Sequence, residues 1–489
     1  MLGDWQTFGI ALFASIGTFL YGYDTGIVTT TIAHESWLEY MHHPDPGLLG
    51  SVGSIYIAGE AVGAIIQIFI GDKLGRIRFM QLLCMICTVG CIIQTAAVNI
   101  GMLLAGRVIT GVAVGALCST VPVYLSEISS PKHRGLIGGL VGANLTCGMM
   151  ASNWVGYACN FAPYGTLQWR LPLALQIPWG IVMFIGLATF MPNSPRYLIQ
   201  KGQIEEARKA FTRIRRDLHS HEVVEEFALM KNQIQFELER KVPSFGEAFK
   251  LYRHRVLVSI GVQTLTALTG TNVIQYYQTT LYKGLGIKSQ TVLALTGVWS
   301  TVGFVASAIS ILFLPDLWGR RRMLLTGVAW CILTEIYSAV MQREFQHTDN
   351  TVGKAFAIVG IYLFAVGYFG LIGVVTWNYG AEVLPVALRN KWMGVAAAAH
   401  YIVNVALTEA GPSAFKNIRE NYYYVFVGAC SVYWVLIYLW FPETKQKTLE
   451  EIAAAFGDRV VEAREQDILA EGTALDIKAA EIVHVEREA

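Results

Sequence analysis

GDKLGRIR at residues 71–78 returns as PDLWGRRR at 315–322, with Gly75-Arg76 matched by Gly319-Arg320 at an offset of 244. EISSPKHR at 127–134 is matched by EVLPVALR at 382–389, offset 255, and PNSPRYL at 192–198 more weakly by PETKQKTL from 442, offset 250. Three patterns repeated in order at nearly one spacing mean that a single unit has been duplicated. Each pattern sets glycine or proline beside charged residues, and each lies at the edge of a long apolar stretch.

Those stretches decide the class. Of 489 residues 54% are hydrophobic and only 15% charged, where a soluble chain carries about 25% charged. Disorder, coiled coil and collagen are excluded, and a net charge of +1 gives no electrostatic footprint for a nucleic-acid partner. No charged residue occurs in 79–106, 135–169, 171–195, 256–282, 289–315, 355–381 or 421–442. A helix crossing a bilayer needs about 20 such residues.

Divided at polar and Gly/Pro-rich breaks, the runs predict spans 1 to 12 at 7–30, 48–71, 79–98, 102–126, 135–160, 171–191, 256–282, 291–314, 323–341, 355–380, 392–411 and 421–441. The organisation is an all-α membrane protein embedded in a lipid bilayer. A six-helix bundle (1–191) is followed by a helical linker (192–255), a second six-helix bundle (256–441) and a tail (442–489). Placing the loops after the even-numbered spans, with the tail, in the cytoplasm puts 29 of the 37 basic residues there. This is the bias of the positive-inside rule and sets both termini in the cytoplasm. The start lacks the basic n-region of a cleavable signal, so span 1 is read as its own insertion signal. All eight cysteines fall in predicted spans and read as packing residues.

Each repeated pattern sits where a span meets the cytoplasm. Gly75 and Gly319 permit tight turns between helices, and Asp72 and Asp316 can face a neighbouring helix N-terminus or the arginines of the partner pattern, Arg76 and Arg320. Glu127 with Arg134 and Glu382 with Arg389 are expected to bridge the two halves as a latch that opens with the inner side. A basic turn that only enforces topology is the plainer alternative, but orientation requires positive charge and not paired acids.

The chain contains no G-x-x-x-x-G-K-[ST] loop, H-E-x-x-H motif or G-x-S-x-G elbow. ATP-driven pumping, enzymatic activity, and a cofactor or metal are therefore not expected. Asp24 in span 1 and Arg107 in span 4 are the candidates for energy coupling, since a charge inside a span costs about 2.5–3.5 kcal/mol on insertion scales. Beside Arg107 the carboxylate stays ionised; separated from it in an apolar surround, it takes a proton. A permanent structural ion pair is the alternative. Glu60 lies between Gly59 and Gly63, whose spacing permits close helix packing, and reads equally as a packing residue or a cavity residue. Glu335 and Glu409 are expected near the membrane interfaces.

GTFLYGYDTGIV at 17–28, the two Gly-Arg turns, PVYLSEISSPKHRG at 122–135, PNSPRYL, GTNVIQYY at 270–277, WNYGAEVLPVALR at 377–389 and FPETKQKTLEEI at 441–452 together resemble the sugar porter family of the major facilitator superfamily, over about residues 8–456. The resemblance implies two bundles rocking about a central cavity, a plasma-membrane location, and import of a small carbohydrate by proton symport. Passive facilitation is the alternative, but passive members commonly lack the acid matched by Asp24. It also implies that Asn272 and Trp377 bind substrate, that Tyr276 and Tyr277 gate it, and that Asn404 takes the place of a span-11 asparagine.

Other family positions depart. Thr266-Ala267 replaces a glutamine pair, with Gln263 one turn earlier; Gly142 replaces a span-5 glutamine, with Asn144 two residues on; His400 replaces an amide. A sugar site requires hydroxyls, amides and an aromatic face. The departures leave two substrate classes open: a neutral sugar hydrogen-bonded by a neutral His400, or a sugar acid such as a uronate drawn by a protonated one. No oligomeric state follows from the sequence.

Overall fold

A computed structural model describes residues 5–215, 221–239, 245–287, 289–346, 348–385, 388–458, 471, 472 and 474. The tail beyond 458 otherwise lies outside the described residues. Those described fold as helices and turns, as a bilayer requires of a chain whose backbone groups must be satisfied within each segment. Ten helices among them are long and apolar enough to cross a membrane. The remaining two of twelve are span 1, which is divided into Trp5–Ala14 and Ile16–Thr31, and span 11, Arg389–Asn417, which carries Lys391, His400, Asn404 and Glu409.

Besides span 1, three spans are less regular than their sequences predict. Span 7 is two helices, Phe245–Leu268 and Thr271–Gly284, broken at Gly270. That residue has φ +70°, and a Cβ there would lie 2.6 Å from the Phe426 ring, so only glycine fits. Span 10 runs as Thr351–Gly367, a π turn at Tyr368–Ile372 and the helix Thr376–Glu382; the turn is closed by the Gly373 amide on the Tyr368 carbonyl at 2.8 Å. Single π turns inside helices recur at functional sites. Span 6 is likewise split, into Leu167–Ala174 and Ile177–Thr189.

Within the first bundle span 1 packs on span 5 (Arg134–Cys159), and span 2 (Pro46–Leu74) on span 4 (Ile100–Ile128). Span 2 also crosses to span 11, and span 5 to span 8 (Ser289–Leu317), which makes the seam between bundles. Without a hydrophobic drive between helices in lipid, such contacts depend on small residues. A Cβ on Gly63 would lie 2.0 Å from the Val112 carbonyl oxygen, and one on Gly115 2.4 Å from Glu60 Cα.

The linker forms Pro195–Gln200, Ile204–Ile214 and His221–Glu239, with Tyr197, Phe211, Phe227 and Ile234 in a small core of their own. The short tail helix Leu449–Ala455 docks on it through Arg196 Nη1 and Glu450 Oε1, 2.7 Å apart. The side carrying these helices is the linker face below. Glu335 departs from its expected interfacial place: it is 1% exposed, inside the second bundle, and neither oxygen has a partner. Its neighbours on the linear sequence gave no sign of this, because burial at that depth is set by the packing of span 9 (Arg320–Phe345) on span 12 (Tyr422–Trp440).

Overpacking a tight contact costs about 1–3 kcal/mol, and at Gly63 the obstacle is backbone. Gly63→Leu is therefore expected to lower the thermal midpoint in detergent by several degrees. Gly9→Ala, where an added Cβ meets nothing within 4 Å, leaves it unchanged.

Candidate substrate cavity and coupling site

A cavity lies between the bundles, walled by residues of both. The second bundle supplies most of its polar wall. The break at Gly270 turns Thr271, Asn272 and Gln275 into it, and the π turn of span 10 presents Tyr368, Phe369 and, further on, Trp377. Thr266 of span 7 and His400 of span 11 complete that side; Tyr21, Thr25, Gly142, Leu145 and Met149 form the other.

His400 is positioned by its ring nitrogen Nδ1, which lies 2.9 Å from the Gln263 carbonyl oxygen and 2.7 Å from Thr266 Oγ1. Facing a carbonyl, Nδ1 carries the proton, which leaves Nε2 as an acceptor in the neutral ring. The indole of Trp377 stands at 73° to the imidazole, centroids 5.5 Å apart. Among the described residues, no lysine or arginine lines the cavity. Amides, hydroxyls and an indole face are what a polyhydroxylated ring requires.

Four of the residues expected at the site therefore line it: Asn272, Trp377, His400 and Thr266. Five do not. Gln263 is fully buried against span 10, donating to the Thr376 carbonyl oxygen. Asn144 donates to the Leu140 carbonyl oxygen of its own helix, while Leu145 takes the lining position. Asn404 accepts from Thr408. The Tyr276 ring packs on Gly53 of span 2, and the Tyr277 hydroxyl donates to the Thr408 carbonyl oxygen at 2.9 Å. Gln275, whose Nε2 is buried without a partner, is the main residue that sequence reasoning missed. It stands three residues after Asn272, on the same helix face, and that spacing was the available signal.

Beside the cavity, Arg107 Nη1 donates to Asp24 Oδ1 at 2.8 Å and to the Asp24 carbonyl oxygen at 3.1 Å. Both side chains are excluded from water, at 0% and 1% exposure. The guanidinium lies 3.8 Å from the Tyr56 ring centroid, and its Nε and Nη2, with Asp24 Oδ2, have no partners. Asp24 lies on span 1 between Tyr21 and Thr25, both of which line the cavity.

On the linker face the charged patterns pair differently from expectation. Glu127 binds Arg76 through two contacts of 2.8 and 3.2 Å, and Arg76 also reaches Asp72 at 3.0 Å. In the second half Arg320 reaches Glu382 and Asp316, each at 3.4 Å. No Glu127–Arg134 or Glu382–Arg389 ion pair forms among the described residues. The arginine after each glycine turn reaches the buried acid first, so Arg134 turns to Ser129 and the Lys447 carbonyl oxygen, and Arg389 to the Leu384 carbonyl oxygen.

The bundles are joined instead by Asp316, which accepts from the Gly135 and Leu136 amides, each at 3.0 Å, at the N-terminus of span 5. A carboxylate at a helix N-terminus is favoured by the orphan amides and the helix dipole. Gln67 donating to Asn390 Oδ1 at 3.1 Å is the second tie. Asp72, matched to Asp316 in the repeat, makes no such crossing and stays with Arg76. Gly319 is held against Glu443, which accepts from the Arg320 and Arg321 amides.

The family profile described as "Sugar (and other) transporter" matches residues 10–456. The chain belongs to this family, within the major facilitator superfamily. Among curated relatives of this sugar transporter, the MFS-type transporter criB of Aspergillus cristatus is 32% identical over 449 residues, 91% of this chain and 92% of the relative. A high-affinity glucose transporter of Kluyveromyces lactis is 29% identical over 471 residues, covering 92% and 85%. Among solved structures, that of the proton:xylose symporter XylE bound to 6-bromo-6-deoxy-D-glucose superposes with a TM-score of 0.83 at 19% identity. The match covers 93% of this chain and 99% of that one, and it establishes the shared fold. The protein is a multi-pass membrane transporter and not an enzyme.

Two sets of variants test the site and the docking of the tail helix on the linker. An unmade hydrogen bond at a buried polar group costs about 1–3 kcal/mol, so Asn272→Ala and Gln275→Ala are each expected to raise KM for the transported sugar about tenfold or more in uptake assays. For that docking, burial alone pushes the Glu450 carboxyl up, but the Arg196 guanidinium and its hydrogen bond, with Arg134 beyond, hold it below its ordinary value. A carboxyl depressed in the folded state adds stability above its unfolded value of about 4.3 and loses it as pH falls through the folded value. Glu450→Gln should thus lower the thermal midpoint at neutral pH and flatten its decline on acidification, followed by unfolding scans in detergent.

Proposed function

We propose that this sugar transporter imports a neutral monosaccharide by proton symport across the plasma membrane, with linker and both termini cytoplasmic. The observation that carries the reading is the water-excluded Asp24–Arg107 pair set against an amide- and indole-lined cavity. In the described conformation the ion pair is made, and the linker face is tied across the bundles by Asp316 and Gln67. Protonating Asp24 abolishes the attraction and frees Arg107 and span 1 to move. A buried carboxylate parted from its cation is costly, so the rearrangement proceeds with the proton bound and the two movements are coupled. The units that rock are 1–191 and 256–441, with 192–255 and the start of the tail as the strut between their inner ends.

The names of the relatives support the substrate class: a glucose transporter among the curated ones and a xylose symporter among the solved ones. A sugar acid is the competing substrate and rests on His400 alone. With no lysine or arginine among the described residues of the wall, and His400 Nδ1 already engaged by the Gln263 carbonyl, the cavity favours an uncharged ligand.

Uptake in proteoliposomes over hexoses, pentoses, polyols and uronates, with and without an inward proton gradient, decides both points. Asp24→Asn is expected to lose gradient-driven accumulation far more than sugar exchange. Wild-type accumulation that survives both that change and a protonophore overturns symport in favour of facilitation, and preferred uptake of a uronate overturns the neutral substrate.

A further inference from the structure

Glu60 of span 2 is a second acid at the coupling site for which the pair of Asp24 and Arg107 has no use. It is 1% exposed, and neither carboxyl oxygen has a hydrogen-bond partner. Its place is fixed by glycine packing. Arg107, Gly111 and Gly115 fall on one face of span 4 at four-residue intervals, with Gly111 against the Tyr56 carbonyl and Gly115 against Glu60 Cα. Side chains on a helix lean toward its N-terminus. From that position the Glu60 side chain is directed back along span 2 toward Tyr56, whose ring lies under the Arg107 guanidinium.

Asp24 and Arg107 are the charged groups that act on Glu60, and the Tyr56 hydroxyl is near it without completing a hydrogen bond. The other titratable groups facing it are Tyr21 of span 1, Cys118 of span 4, Tyr276 of span 7 and Tyr401 of span 11, all neutral in their ordinary forms at pH 7. The cluster thus holds two acids and one base, sealed from water. With both acids ionised it would carry an uncompensated buried negative charge, which a protein avoids by taking up a proton. Asp24 is bonded to the guanidinium and Glu60 is not, so the proton belongs on Glu60.

We propose that Glu60 is the second proton-binding carboxyl of the transport cycle: it holds the cluster's proton while Asp24 pairs with Arg107, and releases it toward the linker face when Asp24 is protonated. One proton enters at Asp24 and one leaves from Glu60, so the charge beside Arg107 is unchanged and nothing is oxidised or reduced. A polar exit lies along the same seam: Gln67, two turns further on span 2, is bonded to Ser119 of span 4 and to Asn390 of span 11. This inference rests on the symport reading and adds to it a named site of release.

The experiment compares Glu60→Gln with Asp24→Asn in proteoliposomes, using D-glucose and D-xylose as probes. Sugar-driven proton flux and gradient-driven accumulation are read against sugar exchange. For Glu60→Gln the ratio of accumulation to exchange is expected to fall at least about tenfold, as for loss of a proton-transfer group. The infrared difference between wild type and variant at neutral pH is expected to contain the carbonyl band of a protonated carboxyl. Wild-type proton flux in Glu60→Gln, or a difference spectrum carrying only an ionised carboxylate, overturns the proposal. If Asp24→Asn abolishes accumulation while Glu60→Gln does not, only Glu60 loses its role; if Asp24→Asn accumulates normally, symport itself fails. Should Glu60→Gln not assemble, Glu60→Asp, which keeps the acid, shifts the infrared band where the proposal holds and leaves the protonated-carboxyl region unchanged where it does not.

Discussion

A charge taken out of water must find a partner or give up its own charge, and the organisation of this transporter follows from that constraint. Most charged residues are driven to the ends of the spans, and there they meet one another as Arg76 with Glu127, Arg320 with Glu382 and Arg196 with Glu450. Inside the first bundle Asp24 and Arg107 pair at 2.8 Å with no water to share. In such surroundings the cost of breaking the pair is large, and in the proposed symport a proton, which removes one of its members, controls movement.

The same constraint explains what ties the two bundles together on the linker face. A hydrophobic seam gives little attraction in lipid, whereas a carboxylate on a helix N-terminus is directional and reversible. Asp316 on the Gly135 and Leu136 amides is such a contact. It holds the linker face shut without burying an ion pair between bundles. The pairs buried among the spans, Arg76 with Glu127, Arg320 with Glu382 and Arg107 with Asp24, each lie within one half.

The cavity owes its chemistry to breaks in regular structure. Gly270 interrupts span 7 and turns Thr271, Asn272 and Gln275 inward, and the π turn in span 10 presents Tyr368 and Phe369. An unbroken helix would bury its backbone groups in its own hydrogen bonds and show one fixed stripe of side chains. Breaking it at glycine lets neighbouring residues converge on a ligand from two directions. That is how a wall lacking the family's glutamine pair at Thr266-Ala267 still offers amides.

Span number, duplication and the charged pair inside the first bundle were legible in the sequence, because each is a property of composition or of a rare residue type in an apolar run. Charge is so unfavourable in a bilayer that Asp24 and Arg107 stand out without any coordinates. Which acid meets which arginine was not legible: Glu127 with Arg134 is the nearer pair in sequence, yet Arg76 reaches Glu127 first. Nor was it legible that Asn144 and Gln263 turn away from the cavity while Gln275 faces it, or that Glu335 and Glu60 are buried without partners. A periodic pattern fixes that a segment is a helix in a membrane, since that depends on its own residues and the solvent. The direction in which one side chain points, and what waits for it there, depends on helix breaks and on the approach of other spans, and those exist only once the bundles have packed.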